Sequence, residues 1–184
     1  MFPLIATREE ITQAKERLEE ARRALAEEGI PHSEDIEIGI MVETPAAAVQ
    51  IDHIAPLVDF FSIGSNDLTQ YTLACDRSNE QLSELFQDLD PAVLRLIRQV
   101  IKAAHAADRW VGVCGALAGD RRAIPVLLGL GLDEFSMAPH AIPEAKQLIR
   151  SLTLTRAREI AEQALALPTA AEVKKYLNTE LEKL

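Results

Sequence analysis

Asp59-Phe60-Phe61-Ser62-Ile63-Gly64-Ser65-Asn66-Asp67 runs an apolar, strand-like stretch directly into small and metal-capable polar residues. Upstream, Ile38-Gly39-Ile40-Met41-Val42 ends on Glu43 in the same way, and downstream Trp110-Val111-Gly112-Val113 ends on Cys114. Successive apolar runs therefore stop at a carboxylate, an Asn-Asp pair and a thiol. Each run is continuous rather than alternating, the pattern of parallel strands buried on both faces.

Working outward, helical segments separate these runs. Thr7-Arg8-Glu9-Glu10 reads as a capping box, and Ile11, Ala14, Leu18, Ala21 and Leu25 recur at helical spacing until Gly29 and Pro31 stop the pattern. Pro45 opens a short alanine-rich helix that reaches about Ile54. A polar loop runs through Cys75-Asp76-Arg77-Ser78-Asn79. Asp90-Pro91 then caps a helix with Val93, Leu94, Ile97, Val100, Ile101 and Ala104 on one face.

Beyond Cys114, Gly115 to Asp120 reads as a loop, and a short apolar helix ends at Gly129-Leu130-Gly131, where both glycines serve as termination. Asp133 to Met137 forms a brief strand. The remaining helices follow Pro143, centre on Ile160, Ala161, Ala164 and Leu165, and start at Thr169-x-x-Glu172. With Met1 to Ala6 counted as a strand, the chain supplies roughly five, whereas a closed barrel needs about eight. Strand and helix in alternation give parallel βαβ units, and periodicity alone leaves an open doubly wound sheet and a (β/α) barrel both standing. No G-x-G-x-x-G follows any strand, which weakens a dinucleotide-binding reading.

The 184 residues, 48% of them apolar, suffice for one cooperative domain. A formal charge of −10 repels phosphate backbones, and 4% aromatics supply few stacking platforms, so nucleic acid is excluded as a partner class. Apolar stretches fall short of the roughly 20 residues of a membrane span, and no secretory signal opens the chain, so the expected location is cytoplasmic. Cys75 and Cys114 lack metal-type spacing and read as free thiols of a reducing compartment.

In parallel α/β folds the strand C-termini form the active face, so Glu43, Asn66, Asp67 and Cys114 should converge there. Two carboxylates from neighbouring strands suit Mg²⁺, which takes oxygen ligands and shares its site with substrate phosphate. Taken singly, Glu43 could favour the dipole of the helix after Thr44, Asp67 could cap a turn, and Arg77 could be a surface cation beside Asp76 or Asp90. Their coincidence at consecutive strand ends favours a ligand site. The Cys114 thiol sits at a strand end before Gly115-Ala116-Leu117-Ala118-Gly119, while Cys75 reads as structural. His32, His53, His105 and His140 show no metal spacing.

Asp59 through Arg77, D-F-F-S-I-G-S-N-D-L-T-Q-Y-T-L-A-C-D-R, resembles the signature of the phosphoenolpyruvate-utilising enzymes. Met41-Val42-Glu43-Thr44-Pro45 and Val113-Cys114-Gly115 are similar to its flanking motifs. Leu68-Thr69-Gln70-Tyr71-Thr72, Asp133-Glu134-Phe135-Ser136-Met137 and Met1-Phe2-Pro3 most resemble the branch that transfers phosphoryl groups to protein histidines at the first step of bacterial sugar uptake. Pyruvate phosphate dikinase and phosphoenolpyruvate synthase are near neighbours.

The resemblance implies an α/β fold, a partial (β/α)8 TIM barrel comprising about strands four to eight with C-terminal helices. It makes residues 1–184 the C-terminal part of a phosphoenolpyruvate-binding barrel domain, without the N-terminal phosphohistidine domain and the first barrel strands. It implies Mg²⁺ on Glu43 and Asp67, substrate held by Asn66, Asp67 and Arg77, and Cys114 as the catalytic acid that protonates the pyruvate enolate. The implied partners are phosphoenolpyruvate and pyruvate, a histidine-containing phosphocarrier protein reached through the N-terminal region, and a second copy in a homodimer. Ala116 departs from the family, which often has Glu there. The competing expectations are a non-catalytic dimerisation module built from a truncated barrel and a metal-dependent aldolase, which leaves Asn66, Arg77 and Cys114 unexplained.

Overall fold

The computed structural model describes residues 1–184. The chain opens with helix α1 (Arg8–Glu27), strand β1 (Gly39–Val42), and helices α2 (Pro45–Val49) and α3 (Ile51–Ile54). Strand β2 (Phe60–Gly64), helix α4 (Ser65–Leu73), helix α5 (Pro91–His105) and strand β3 (Trp110–Cys114) follow. Helices α6 (Ala116–Gly119) and α7 (Ala123–Leu130), strand β4 (Glu134–Phe135), and helices α8 (Ile142–Ser151), α9 (Leu154–Ala166) and α10 (Ala170–Leu181) complete it.

The four strands are parallel and lie in the order β1-β2-β3-β4. Phe2 extends that order on the outer edge of β1, donating its N–H to Gly39 O and accepting from Met41 N at 2.9 and 2.8 Å. Spatial order thus follows chain order, with no reversal of the kind that marks a doubly wound sheet. Right-handed crossovers then place every connecting helix on one side, the winding of a barrel. The fold is a mixed α/β arrangement in which the sheet forms part of such a barrel.

Register separates the two faces. Ile40, Val42, Phe61, Ile63, Val111 and Val113 point toward the helices and join a single core with Val93, Ile97, Val100 and Ile101 of α5. These side chains are almost wholly buried, and each contributes roughly 1.5–3 kcal/mol by leaving water. The opposite face carries Gly39, Met41, Phe60, Ser62, Trp110 and Gly112, with the Phe60 and Trp110 rings stacked at 4.5 Å. Met41, Phe60 and Trp110 are only partly buried. Gly39, Ser62, Gly64 and Gly112 on this face are buried, so the strands are covered on both faces over most of their length, as expected, but the second face is largely glycine and serine rather than apolar side chains. Large rings at the strand starts conceal the alternation with Ser and Gly.

The helix boundaries follow local chemistry. Thr7 and Glu10 close a reciprocal capping box on α1, Asp90 caps α5 through Ala92 N at 2.8 Å, and Thr169 caps α10 through Glu172 N at 3.2 Å. Of the α1 stripe only Ile11 is buried. The stretch after Gly115, expected as a loop, contains the short helix α6. Gly131 ends α7 in a left-handed conformation, but Gly129 lies inside that helix, where a Cβ would stand 2.1 Å from Ala157 O. Gly129 is thus a contact glycine between α7 and α9 and not a terminator. No helix is long and apolar enough to cross a membrane.

Candidate active site

The C-terminal ends of β1, β2 and β3 bring the sequence-predicted residues to one edge of the sheet. Val42 pairs with Ile63, and Gly64 pairs with Cys114, so Glu43, Gly64 and Cys114 follow one another across neighbouring strands. A Cβ on Gly64 would lie 2.5 Å from Glu43 Cγ, so only glycine leaves this carboxylate its place.

Glu43 is 5% exposed, and its Oε2 accepts the Leu4 N–H at 2.6 Å. It does not serve the helix that follows, since Thr44 caps α2 with its own hydroxyl and also donates to Ile5 O at 2.9 Å. Leu4 reaches the carboxylate through a left-handed backbone, φ 51°, uncommon outside glycine. No cation pairs with Glu43, and its other oxygen accepts no protein hydrogen bond. A buried carboxylate in this condition favours a positive ligand.

β2 passes into α4 without a loop, which sets Asn66 and Asp67 in the first helical turn. Asp67 caps nothing; its Oδ1 lies 3.7 Å from an Arg77 guanidinium nitrogen, and both side chains remain partly exposed. Arg77 is steadied by its own N–H donating to Gln70 Oε1 at 3.1 Å. Asn66 uses its Oδ1 to accept the Ala116 N–H at 3.2 Å, which leaves the amide NH₂ without a protein partner.

Cys114 is half-buried at the end of β3. Ser65 Oγ donates to its carbonyl at 2.8 Å, and the chain then turns through Gly115 at φ 95°, with a would-be Cβ 2.6 Å from Ser65 Oγ. Ser65 and Asn66 therefore clamp the end of β3 onto α4. The Cys114 sulfur accepts from Ser62 Oγ at 3.6 Å. Sequence reasoning missed Leu4, Ser62 and Ser65. Ser62 was reachable through the period of two, because Ser62, Gly64, Gly112 and Cys114 share one face of β2 and β3, whereas Ser65 is the first residue of α4 and lies outside that alternation.

Cys75 is buried, as expected of a structural thiol. His105 donates or accepts at Asp133 Oδ2 across 2.8 Å, where Asp133 also accepts from Val111 N, a tie at the strand starts. No cluster of three or more His, Cys, Asp and Glu is arranged to hold a metal ion. Two carboxylates, with water and a phosphate oxygen completing the shell, are the donor set that Mg²⁺ takes, and Glu43 and Asp67 fit it.

The chain matches the family described as PEP-utilising enzyme, PEP-binding domain, over residues 1–154. It is 53% identical over 173 residues to the phosphoenolpyruvate-protein phosphotransferase of Staphylococcus carnosus, covering 94% of this chain and 30% of that protein. The Haemophilus influenzae protein of the same name matches at 53% over 173 residues, again 94% of this chain and 30% of the relative. That of Buchnera aphidicola subsp. Baizongia pistaciae matches at 49% over 179 residues, 97% and 31%. The chain thus spans about 30% of the length of the relatives it matches. Among solved structures, a citrate lyase from Burkholderia xenovorans LB400 superposes with a TM-score of 0.53 at 19% identity, over 96% of this chain and 60% of that one, a likeness of fold alone. With the family match running through every strand and the candidate site, the chain belongs to the PEP-utilising enzymes, as a PEP-binding domain.

Proposed function

We propose that the chain is the PEP-binding portion of a phosphotransferase that moves the phosphoryl group of phosphoenolpyruvate to a protein histidine and releases pyruvate, the first step of bacterial sugar uptake. On this reading residues 1–184 are the C-terminal part of the barrel domain, a second copy forms a homodimer with it, and the phosphoryl group passes on to a histidine-containing phosphocarrier protein. A cytoplasmic location accords with the free thiols Cys75 and Cys114. The names of the relatives support the reaction, and the observation that carries the site is the convergence of Glu43, Asp67, Arg77 and Cys114 on one sheet edge.

Glu43 and Asp67 hold Mg²⁺, which when bound neutralises charge on the phosphoryl and enolate oxygens. Arg77 supplies planar, forked donors to phosphate, and Asn66 presents its amide NH₂ while its Oδ1 stays on Ala116. Cys114 holds the proton that pyruvate requires at carbon. An ordinary thiol, with pKa about 8.5, is mostly protonated at neutral pH and can donate it. Ser65 and Gly115 fix where that sulfur stands.

Calorimetric titration of the chain with phosphoenolpyruvate tests this reading. Binding should require Mg²⁺ and weaken about tenfold or more in Glu43→Gln, which keeps an acceptor for Leu4 but removes the charge. Equal affinity with and without Mg²⁺ would overturn the assignment of the metal.

A further inference from the structure

Ser62 lies on the open face of β2, 7% exposed, and its hydroxyl makes one hydrogen bond, to the Cys114 sulfur at 3.6 Å. That separation is normal for sulfur, whose radius exceeds that of oxygen. Other groups at this edge hold the backbone around Cys114: Ser65 takes its carbonyl and Asn66 takes the Ala116 N–H. Ser62 alone hydrogen-bonds the sulfur.

The charged groups at this end of the sheet and on the face that carries Cys114 are carboxylates and one cation. Glu43 lies across Gly64, Asp67 stands in the first turn of α4, and Glu134 flanks Gly112 with its Oε2 3.4 Å from a would-be Cβ. Arg77 is drawn toward Asp67. α6 and the remainder of β2 bring no charge to this face. Negative neighbours disfavour a thiolate, whereas a hydrogen bond donated to sulfur favours it.

We infer that Ser62 is a positioning residue for Cys114, directing its S–H toward substrate and steadying the thiolate that remains after proton transfer. The inference rests on the proposed role of Cys114 as acid. In that step the S–H bond breaks with its electron pair left on sulfur, and the enolate π pair forms the new C–H bond of the pyruvate methyl group. The Ser62 O–H then points at a full negative charge, which makes a stronger hydrogen bond than neutral sulfur does. Its contribution therefore grows along the reaction, as transition-state stabilisation requires.

The test uses the full chain with Cys75→Ala, which leaves a single thiol, and follows alkylation of Cys114 by iodoacetamide from about pH 6 to about pH 10. In Ser62→Ala the midpoint of the profile should rise by about half a unit or more, slowing alkylation near neutral pH about threefold. Ser62→Thr, which keeps the hydroxyl, should restore both. Superimposable profiles for Ser62→Ala and its parent would overturn the inference, including where the variant only melts at a lower temperature. Protection of the parent thiol by phosphoenolpyruvate with Mg²⁺ is a separate readout. Its absence would count against the proton-donor reading while leaving the Ser62 profile to be judged independently.

Discussion

The Glu43 carboxylate shows how much of this site is set by groups that carry no chemistry of their own. Its charge was legible from the end of an apolar run, but the Leu4 N–H that holds it depends on a left-handed backbone, and the room it occupies depends on Gly64. The Leu4 conformation leaves no mark in residue type, and the glycine tells nothing until its neighbour across the strand is known. Asp67 and Cys114 were likewise legible as strand-end residues, whereas the Ser62 and Ser65 contacts needed the register between β2 and β3. Away from the site, Asp88 titrates above the usual carboxylate range, chiefly through burial and then through the charge on Asp120. Arg122 is engaged bidentately with Asp120, and Lys174 donates to Gln87, so neither is fully available to Asp88. An acid whose folded pKa is raised stabilises the fold only while protonated, and stability falls as pH rises from the unfolded value, about 3.9, through the folded one. Asp88→Asn should therefore raise the thermal midpoint at neutral pH and leave it unchanged below about pH 3. A lower midpoint at neutral pH would show that the carboxylate is needed ionised.

Helices were the most legible elements because their ends are written in local chemistry. Thr7 with Glu10, Asp90 before Pro91, and Thr169 before Glu172 each cap the expected helix. α5 buries the expected face, with Arg95, Arg98 and Lys102 outside. Strand faces were less legible, since Phe60 and Trp110 disguise an alternation that only their stacking makes visible. Gly129 misled for a related reason. A glycine near a helix end signals termination by local rules, but this one is retained by a long-range contact, with Ala157 O and the Ala161 Cβ 2.1 and 2.9 Å from a would-be Cβ. Gly129→Ala gains helix propensity and loses the close crossing of α7 and α9. The clash is with backbone, so denaturant unfolding should show a net loss of about 1–3 kcal/mol. A stabilised variant would mean that the two helices can separate freely.

At the scale of the molecule, periodicity left the open sheet and the barrel undecided, because both are built from the same βαβ units. Strand order separates them. Phe2, β1, β2, β3 and β4 lie in chain order, with the apolar core confined to the helix side. In a barrel of about eight strands the opposite face is the interior. The sheet edges are minimal, a lone bridge at Phe2 and the two-residue β4, which limits pairing with stray strands. On the proposed function the C-terminal end of this sheet, as it stands in the chain, is a PEP site completed by Mg²⁺. Thermal unfolding with Mg²⁺, with and without millimolar phosphoenolpyruvate, tests it most directly. Ligand at a hundredfold excess over its Kd stabilises by about 2.7 kcal/mol, so the midpoint should rise by several degrees, and Asp67→Ala should abolish the rise. A cooperative transition whose midpoint ignores phosphoenolpyruvate, or one that still responds in Asp67→Ala, would show that these strand ends do not form the site.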